Sequence, residues 1–283
     1  MATETGTHNK TTASSLSAVR HIIPVASGKG GVGKSATALN LALALAQEGA
    51  RVGLLDADIY GPSLPGMLGV PATCKPEVRD GKYFLPVMAE GIATMSIGYL
   101  ATEKTPMAWR GPMASSALLQ MLQQTLWGEL DYLLVDMPPG TGDIQLTLAQ
   151  KIPCTGAVVV TTPQNIALLD ARKGIEMFRK VGIDCLGIIE NMASHVCSQC
   201  GFEEDIFGSG GGDKIAGDYG VQMLGSVPLL RALRESLDAG RSLLLSDPQA
   251  DISQRYRALA RGLANSVAQH ETDGAPELII TDD

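Results

Sequence analysis

Aromatic residues are scarce in this chain, at 4% of 283 residues, although the hydrophobic fraction reaches 45%. A core poor in rings must be built from Ala, Val, Leu and Ile, which is the material of a parallel sheet covered by helices on both faces. No run of roughly 18 apolar residues free of charge occurs, so no membrane-spanning helix is expected. The opening MATETGTHNKTTASSLSAVR lacks the apolar stretch of a secretory signal. Its single Arg and absent apolar helical face also argue against a transit peptide, so residues 1–20 read as a disordered polar tail. Cysteines number five, an odd count, and only Cys197 and Cys200 are closely spaced. That is no disulfide framework, and it suits a reducing, cytoplasmic setting.

A basic excess is missing too. Five of the 30 acids lie between His270 and Asp283, a segment with no Lys or Arg, and the remaining 25 face 22 bases. A body so near neutrality lacks the positive stripe of a duplex-DNA binder, so neither nucleic acid nor membrane is expected as a partner. Residues 270–283 read as a solvated acidic tail.

Between the tails, strands and helices alternate. HIIPVAS at 21–27 reads as a strand, 34–48 as a helix stopped by Gly49, and RVGLLD at 51–56 as a second strand. A broken region at 60–98 contains a hairpin turn at Arg79-Asp80-Gly81-Lys82. Helices are expected near 113–127, 144–151, 167–180, 230–238 and 249–268, and strands at 131–136, 156–162, 184–190 and 222–227. Residues 192–212 interrupt this rhythm with a Cys- and Gly-rich insertion. The alternation predicts an α/β fold, a doubly wound and mostly parallel sheet flanked by helices, in a single domain over 21–269.

Gly28-Lys29-Gly30-Gly31-Val32-Gly33-Lys34-Ser35 follows a predicted strand and opens a predicted helix that continues with Ala36. This context makes the G-x-x-x-x-G-K-[ST] pattern a specific signal for phosphate binding. Glycines let backbone N–H groups close on phosphate oxygens, and the helix N-terminus adds its positive end. Lys34 would meet the β- and γ-phosphates of ATP or ADP, and the Ser35 hydroxyl would ligate Mg²⁺. Acids at strand ends point to the same crevice, namely Asp56 and Asp58 after the second strand and Asp136 at the end of DYLLVD. Asp56 reads equally as structural or catalytic.

The extra lysine, Lys29, resembles the deviant phosphate loop of the ATPase class that contains MinD, ParA and the nitrogenase iron protein. The resemblance implies that Lys29 reaches the partner subunit's phosphates across a homodimer. It also implies that Asp136 serves Mg²⁺, that Asp58 positions the attacking water, and that Met137–Asp143 is a switch whose Gly140 and Gly142 permit rearrangement. Asn191 and Pro228 match positions that contact adenine, with a capping role as the other reading of Asn191.

Cys197-Ser-Gln-Cys200 by itself fits half a metal site, a redox dithiol or two unrelated thiols. Two chains related by a twofold axis would supply the four thiolates that Zn²⁺ or a [4Fe–4S] cluster requires. Taken with GKGGVGKS, DADIYGPSLPGMLG, WRGPM, DYLLVDMPPGTGD and NMA before the cysteines, the chain resembles the Mrp/ApbC family of iron–sulfur carrier ATPases from about His21 to Gly262. The resemblance implies a slow ATPase that holds a [4Fe–4S] cluster between two subunits, receives it from a donor and passes it to apoproteins. Two departures stand out. Many bacterial relatives carry a small α/β domain before the loop, for which there is no room here, and residues 1–20 hold no Cys for an N-terminal cluster. A MinD/ParA-like positioning ATPase and an ATPase with a structural zinc are the alternatives. His195 is a further possible ligand, Cys74, Cys154 and Cys185 read as small buried hydrophobes, and Trp109-Arg110-Gly111 is a family motif without a deducible role.

Overall fold

The computed structural model describes residues 15–100 and 111–273, so Trp109 and Arg110 fall outside the described residues. Apolar β1 (Val19–Ala26) leads through the Gly-rich loop into α1 (Lys34–Gln47), whose Ala/Leu sequence favours helix, and Gly49 follows its end with φ 96°. β2 (Val52–Asp56) and the short α2 (Leu64–Met67) come next. The broken region resolves into β3 (Val78–Arg79), β4 (Tyr83–Phe84), β5 (Val87–Ala89), β6 (Ile92–Ser96) and the single turn α3 (Ile97–Leu100). α4 (Gly111–Gln124), β7 (Leu130–Asp136), α5 (Asp143–Lys151), β8 (Ala157–Thr161) and α6 (Asn165–Lys180) restore the alternation. β9 (Cys185–Val196) and β10 (Glu203–Glu204) precede α7 (Gly211–Tyr219) and β11 (Met223–Leu229). α8 (Arg231–Asp238), α9 (Leu243–Ser246) and α10 (Asp251–Asp273) close the chain.

The main sheet runs β10-β9-β8-β1-β7-β2-β6-β5, with β11 also paired to β9. All pairings are parallel except β10 with β9 and β5 with β6 at the margins. Alternate residues of each strand serve opposite faces. Ile22 joins a cluster with Leu118 of α4, Leu148 of α5, Ile175 of α6 and Ile215 of α7. Ile23 joins Leu41 of α1, Leu233 of α8 and Tyr256 and Leu259 of α10 on the other face. The doubly wound architecture is therefore as expected.

Three details differ from expectation. β6 was not foreseen as a sheet strand, because IATMS carries Thr94 and Ser96 at positions that are nonetheless buried. Thr94 is satisfied by donating to the Val87 carbonyl at 2.7 Å, and Ser96 by donating to Asp56 at 3.0 Å. The 192–212 insertion is not a free loop, since β9 continues to Val196 and β10 returns beside it, so the cysteines cap a hairpin. α10 runs through Asp273 and so takes in the first residues of the segment expected as a tail.

Leu41 is fully buried between α1 and the sheet. Leu41→Ala is expected to lower unfolding free energy by about 2–5 kcal/mol, read from denaturant titration. A loss within error of zero would contradict this packing.

Candidate functional site

The phosphate loop leaves β1 at Ser27, whose hydroxyl donates to the Lys29 carbonyl at 2.8 Å. Two glycines are required by their surroundings. A Cβ on Gly28 would lie 2.1 Å from the backbone carbonyl of Asp170 in α6, and one on Gly33, at φ 79°, would lie 2.2 Å from Asn191 Nδ2. The loop is thus clamped between α6 and β9 where only bare backbone fits. Lys29, Gly30, Gly31, Gly33, Lys34, Ser35 and Ala36 line a cavity of about 210 Å³, closed by Asp58 and by Pro139 of the following switch loop. That loop is tied back by Gly140 N–H donating to the Ser27 carbonyl at 2.9 Å and by Gln145 donating to the Pro139 carbonyl at 2.5 Å.

Parallel register sets Asp56 opposite Asp136, at the carboxyl ends of β2 and β7. Lys34, itself buried, donates to Asp136 and to Ser35 Oγ at 3.3 Å. Burial pushes the Asp136 carboxyl up while the Lys34 ammonium and the Ser35 hydroxyl pull it down. Asp56 accepts from the N–H groups of Asp58, Ser63 and Leu64 and from Ser96. Burial, with the nearby Asp136 charge, pushes Asp56 up to about 7. Its oxygens are spent on the segment after β2, so Asp56 is a structural organiser, whereas Asp58 faces the cavity. Ser35, Asp58 and Asp136 offer the hydroxyl and carboxylate oxygens that suit Mg²⁺, which takes few protein ligands and keeps its waters. Among the described residues Lys29 has no ion-pair partner.

A second cavity of about 330 Å³ adjoins the loop, where Gly33, Ala36, Asn191 and Pro228 meet Met67, Met192, Leu230, Leu233 and Leu237. It brings the two candidate base contacts to the phosphate loop. The Asn191 amide donates to the Val32 carbonyl at 2.8 Å and so also braces the loop. The walls from α8 were missed in the sequence, although Leu230, Leu233 and Leu237 recur at helical spacing.

At the hairpin tip Cys197 is half-buried and Cys200 exposed, and neither is in a disulfide. Cys197 N–H donates to the Phe202 carbonyl at 2.9 Å, and Gly201 N–H returns to the Cys197 carbonyl at 2.9 Å. Backbone N–H groups of Gln199 and Cys200 point at the Cys197 sulfur, with the Cys200 thiol, and lower its pKa. A thiolate is thereby favoured at the surface, which is what a metal ligand requires. Among the described residues no single-chain group of three or more His, Cys, Asp and Glu is placed to hold a metal ion. His195 sits lower in the hairpin with its Nδ1 buried and without a hydrogen-bond partner. Cys154 and Cys185 pack partly buried against the core, their thiols pushed up by burial to about 12 and about 11; Cys74 is half-buried.

No helix among the described residues is long and apolar enough to cross a membrane. Residues 18–264 match the family described as NUBPL iron-transfer P-loop NTPase. The iron-sulfur cluster carrier protein of Pseudomonas fragi is 60% identical over 245 residues, covering 87% of this chain and 85% of that protein. The carrier protein of Escherichia coli K12 is 61% identical, covering 88% and 67% respectively. The mouse iron-sulfur cluster transfer protein NUBPL is 49% identical, covering 87% and 77%. Among solved structures, a nucleotide-binding protein of Archaeoglobus fulgidus in complex with ADP superposes with TM-score 0.72 at 36% identity, covering 84% of this chain and 93% of that one. Pyrococcus furiosus MinD, at TM-score 0.63 and 21% identity over 87% and 98% of the two chains, shares the fold.

Gly28→Ala is expected to cost about 1–3 kcal/mol in denaturant titration, since its methyl meets backbone and not a movable side chain. Unchanged stability would refute the clamp. An acid whose folded pKa, about 7, exceeds its unfolded value of 3.8 favours the folded state increasingly as pH falls from the upper value to the lower. The wild-type unfolding midpoint is therefore expected to rise between pH 7.5 and pH 5.5, with the dependence flattened in Asp56→Asn.

Proposed function

The chain belongs to the NUBPL iron-transfer P-loop NTPases, and from that membership we propose that it is an ATP-hydrolysing carrier of iron–sulfur clusters. The observation that carries the reading is the Cys197/Cys200 pair at an exposed hairpin tip, with backbone amides favouring the Cys197 thiolate. One chain offers two thiolates where a [4Fe–4S] cluster takes four, so the cargo is held between two copies of the chain. A site on a dimer seam remains accessible, which suits a carrier that must surrender its cargo to recipient apoproteins after loading from a donor. Free cysteines fit a reducing cytoplasm.

The nucleotide side follows from the same geometry. Phosphates lie in the cavity of the Gly28–Ser35 loop, and adenine in the apolar cavity walled by Pro228 and α8. Lys34 moves from Asp136 to the β- and γ-phosphates, which releases Asp136 and Ser35 for Mg²⁺. When bound, Mg²⁺ neutralises charge on the phosphate oxygens. Asp58, at the cavity wall, orients the attacking water, and Lys29, without an ion-pair partner among the described residues, reaches the phosphates of the partner copy. The loop of Pro139 and Gly140 senses departure of the γ-phosphate through its contact with Ser27.

The reading is tested by mixing reconstituted protein with an apoenzyme that needs a [4Fe–4S] cluster and following the apoenzyme's activity. Wild type is expected to activate it, and the Cys197→Ser/Cys200→Ser variant to give no more than free iron and sulfide. Equal activation by both would overturn the carrier reading. Lys29→Ala is expected to lose the ATP-dependent increase in dimer measured by light scattering, and retention of that increase would remove Lys29 from the seam.

A further inference from the structure

β9 connects the two sites directly. Asn191 lies at the phosphate loop, and Cys197 follows six residues later, just past the end of β9 and at most about 20 Å of chain away. The Asn191 amide holds the Val32 carbonyl at 2.8 Å, directly beside the left-handed Gly33. The next residue, Met192, has φ 55°, which is uncommon for a residue with a side chain. Its Cε would lie 3.6 Å from a Cβ placed on Gly33.

The pairing with β11 slips at this point. Val227 is opposite Asn191, yet Leu229 is opposite His195, so β9 spends four steps where β11 spends two. Met192 to Ser194, three residues opposite Pro228 alone and so two in excess, form a bulge between the residue that grips the phosphate loop and the hairpin that carries the cysteines. Bulges re-aim the strand beyond them. Unusual backbone held in place by neighbouring contacts is also where a strand can store a second arrangement.

We propose that Asn191 and the Met192 bulge are positioning elements that couple the phosphate loop to the cysteine hairpin, so that nucleotide occupancy sets how firmly the cluster is held. The proposal rests on the carrier reading and deepens it. A loop that shifts to wrap phosphate moves the Val32 carbonyl, and Asn191 moves with it or loses its partner. Either outcome is passed to the bulge, whose far side is hydrogen-bonded to β10 through Val196 and Glu203 and so turns the hairpin as a unit. In a twofold assembly a small turn of each hairpin alters the spacing of the four sulfurs. ATP thus biases cluster retention through one physical element that both sites contact, which is the requirement for coupling between separated ligands.

The test uses anaerobically reconstituted wild type, Asn191→Ala and Asn191→Asp, with iron per chain measured first. The rate of iron loss to a ferrous chelator is then recorded with and without Mg–ATP at concentrations that saturate each protein. Wild type is expected to show a rate ratio of about fivefold or more, and both variants a ratio indistinguishable from unity with iron content preserved. Met192→Gly, which takes positive φ without strain, serves as a second probe and is expected to reduce the ratio while keeping the cluster. A wild-type ratio retained in the Asn191 variants would overturn the coupling, as would a ratio of unity in wild type or loss of the cluster itself in the variants. A wild type that takes up no iron would instead refute the carrier reading, so the two failures are distinguishable.

Discussion

The arrangement depends on a stretch of backbone that can carry no side chains at two places. Gly28 rests against the main chain of Asp170, and Gly33 against the amide of Asn191. These contacts press the phosphate loop between α6 on one side and β9 on the other. The loop is therefore placed by α6, which follows β8, and by β9, which leads into the cysteine hairpin.

Charge is managed economically around it. Lys34 and Asp136 are both buried, and each is tolerable because the other is present. Asp56 stands one strand away and is satisfied by three backbone N–H groups and Ser96, which folds the segment after β2 and presents Asp58 to the cavity. In the proposed cycle incoming phosphate offers Lys34 a stronger partner and frees Asp136, so binding rearranges a pair that already exists, and the loop of Pro139 and Gly140, tied to Ser27, lines the same cavity.

Much of this was legible in the sequence because local and global signals agreed. The strand–loop–helix unit at 21–48, the acids at strand ends and the alternating α/β rhythm each followed from periodicity and spacing, and the phosphate-cavity residues meet as expected. β6 was hidden because its polar residues find buried partners, Thr94 on the Val87 carbonyl and Ser96 on Asp56, which only tertiary contact supplies. The hairpin beneath the cysteines was obscured by its Ser, His and Gly content, since pairing with β10 and β11 overrides weak strand propensity. Asn191 reads from the sequence as a candidate base contact, whereas its bond to Val32, 159 positions away, was not legible there.

In the proposed reading the cysteine pair gives the fold its particular use. The fold is shared with the cell division ATPase MinD of Pyrococcus furiosus, so the fold alone decides little. What distinguishes this chain is a free cysteine pair at the tip of the hairpin that continues the strand bracing the phosphate loop, with too few ligands among the described residues of one copy to complete a metal centre. Anaerobic reconstitution with iron and sulfide, followed by analysis of iron, sulfide and zinc per dimer, addresses that claim most directly. The account predicts about four iron and four sulfide per dimer, held by four thiolates from two chains. Stoichiometric zinc that resists replacement, or a dimer that retains no metal, would contradict it.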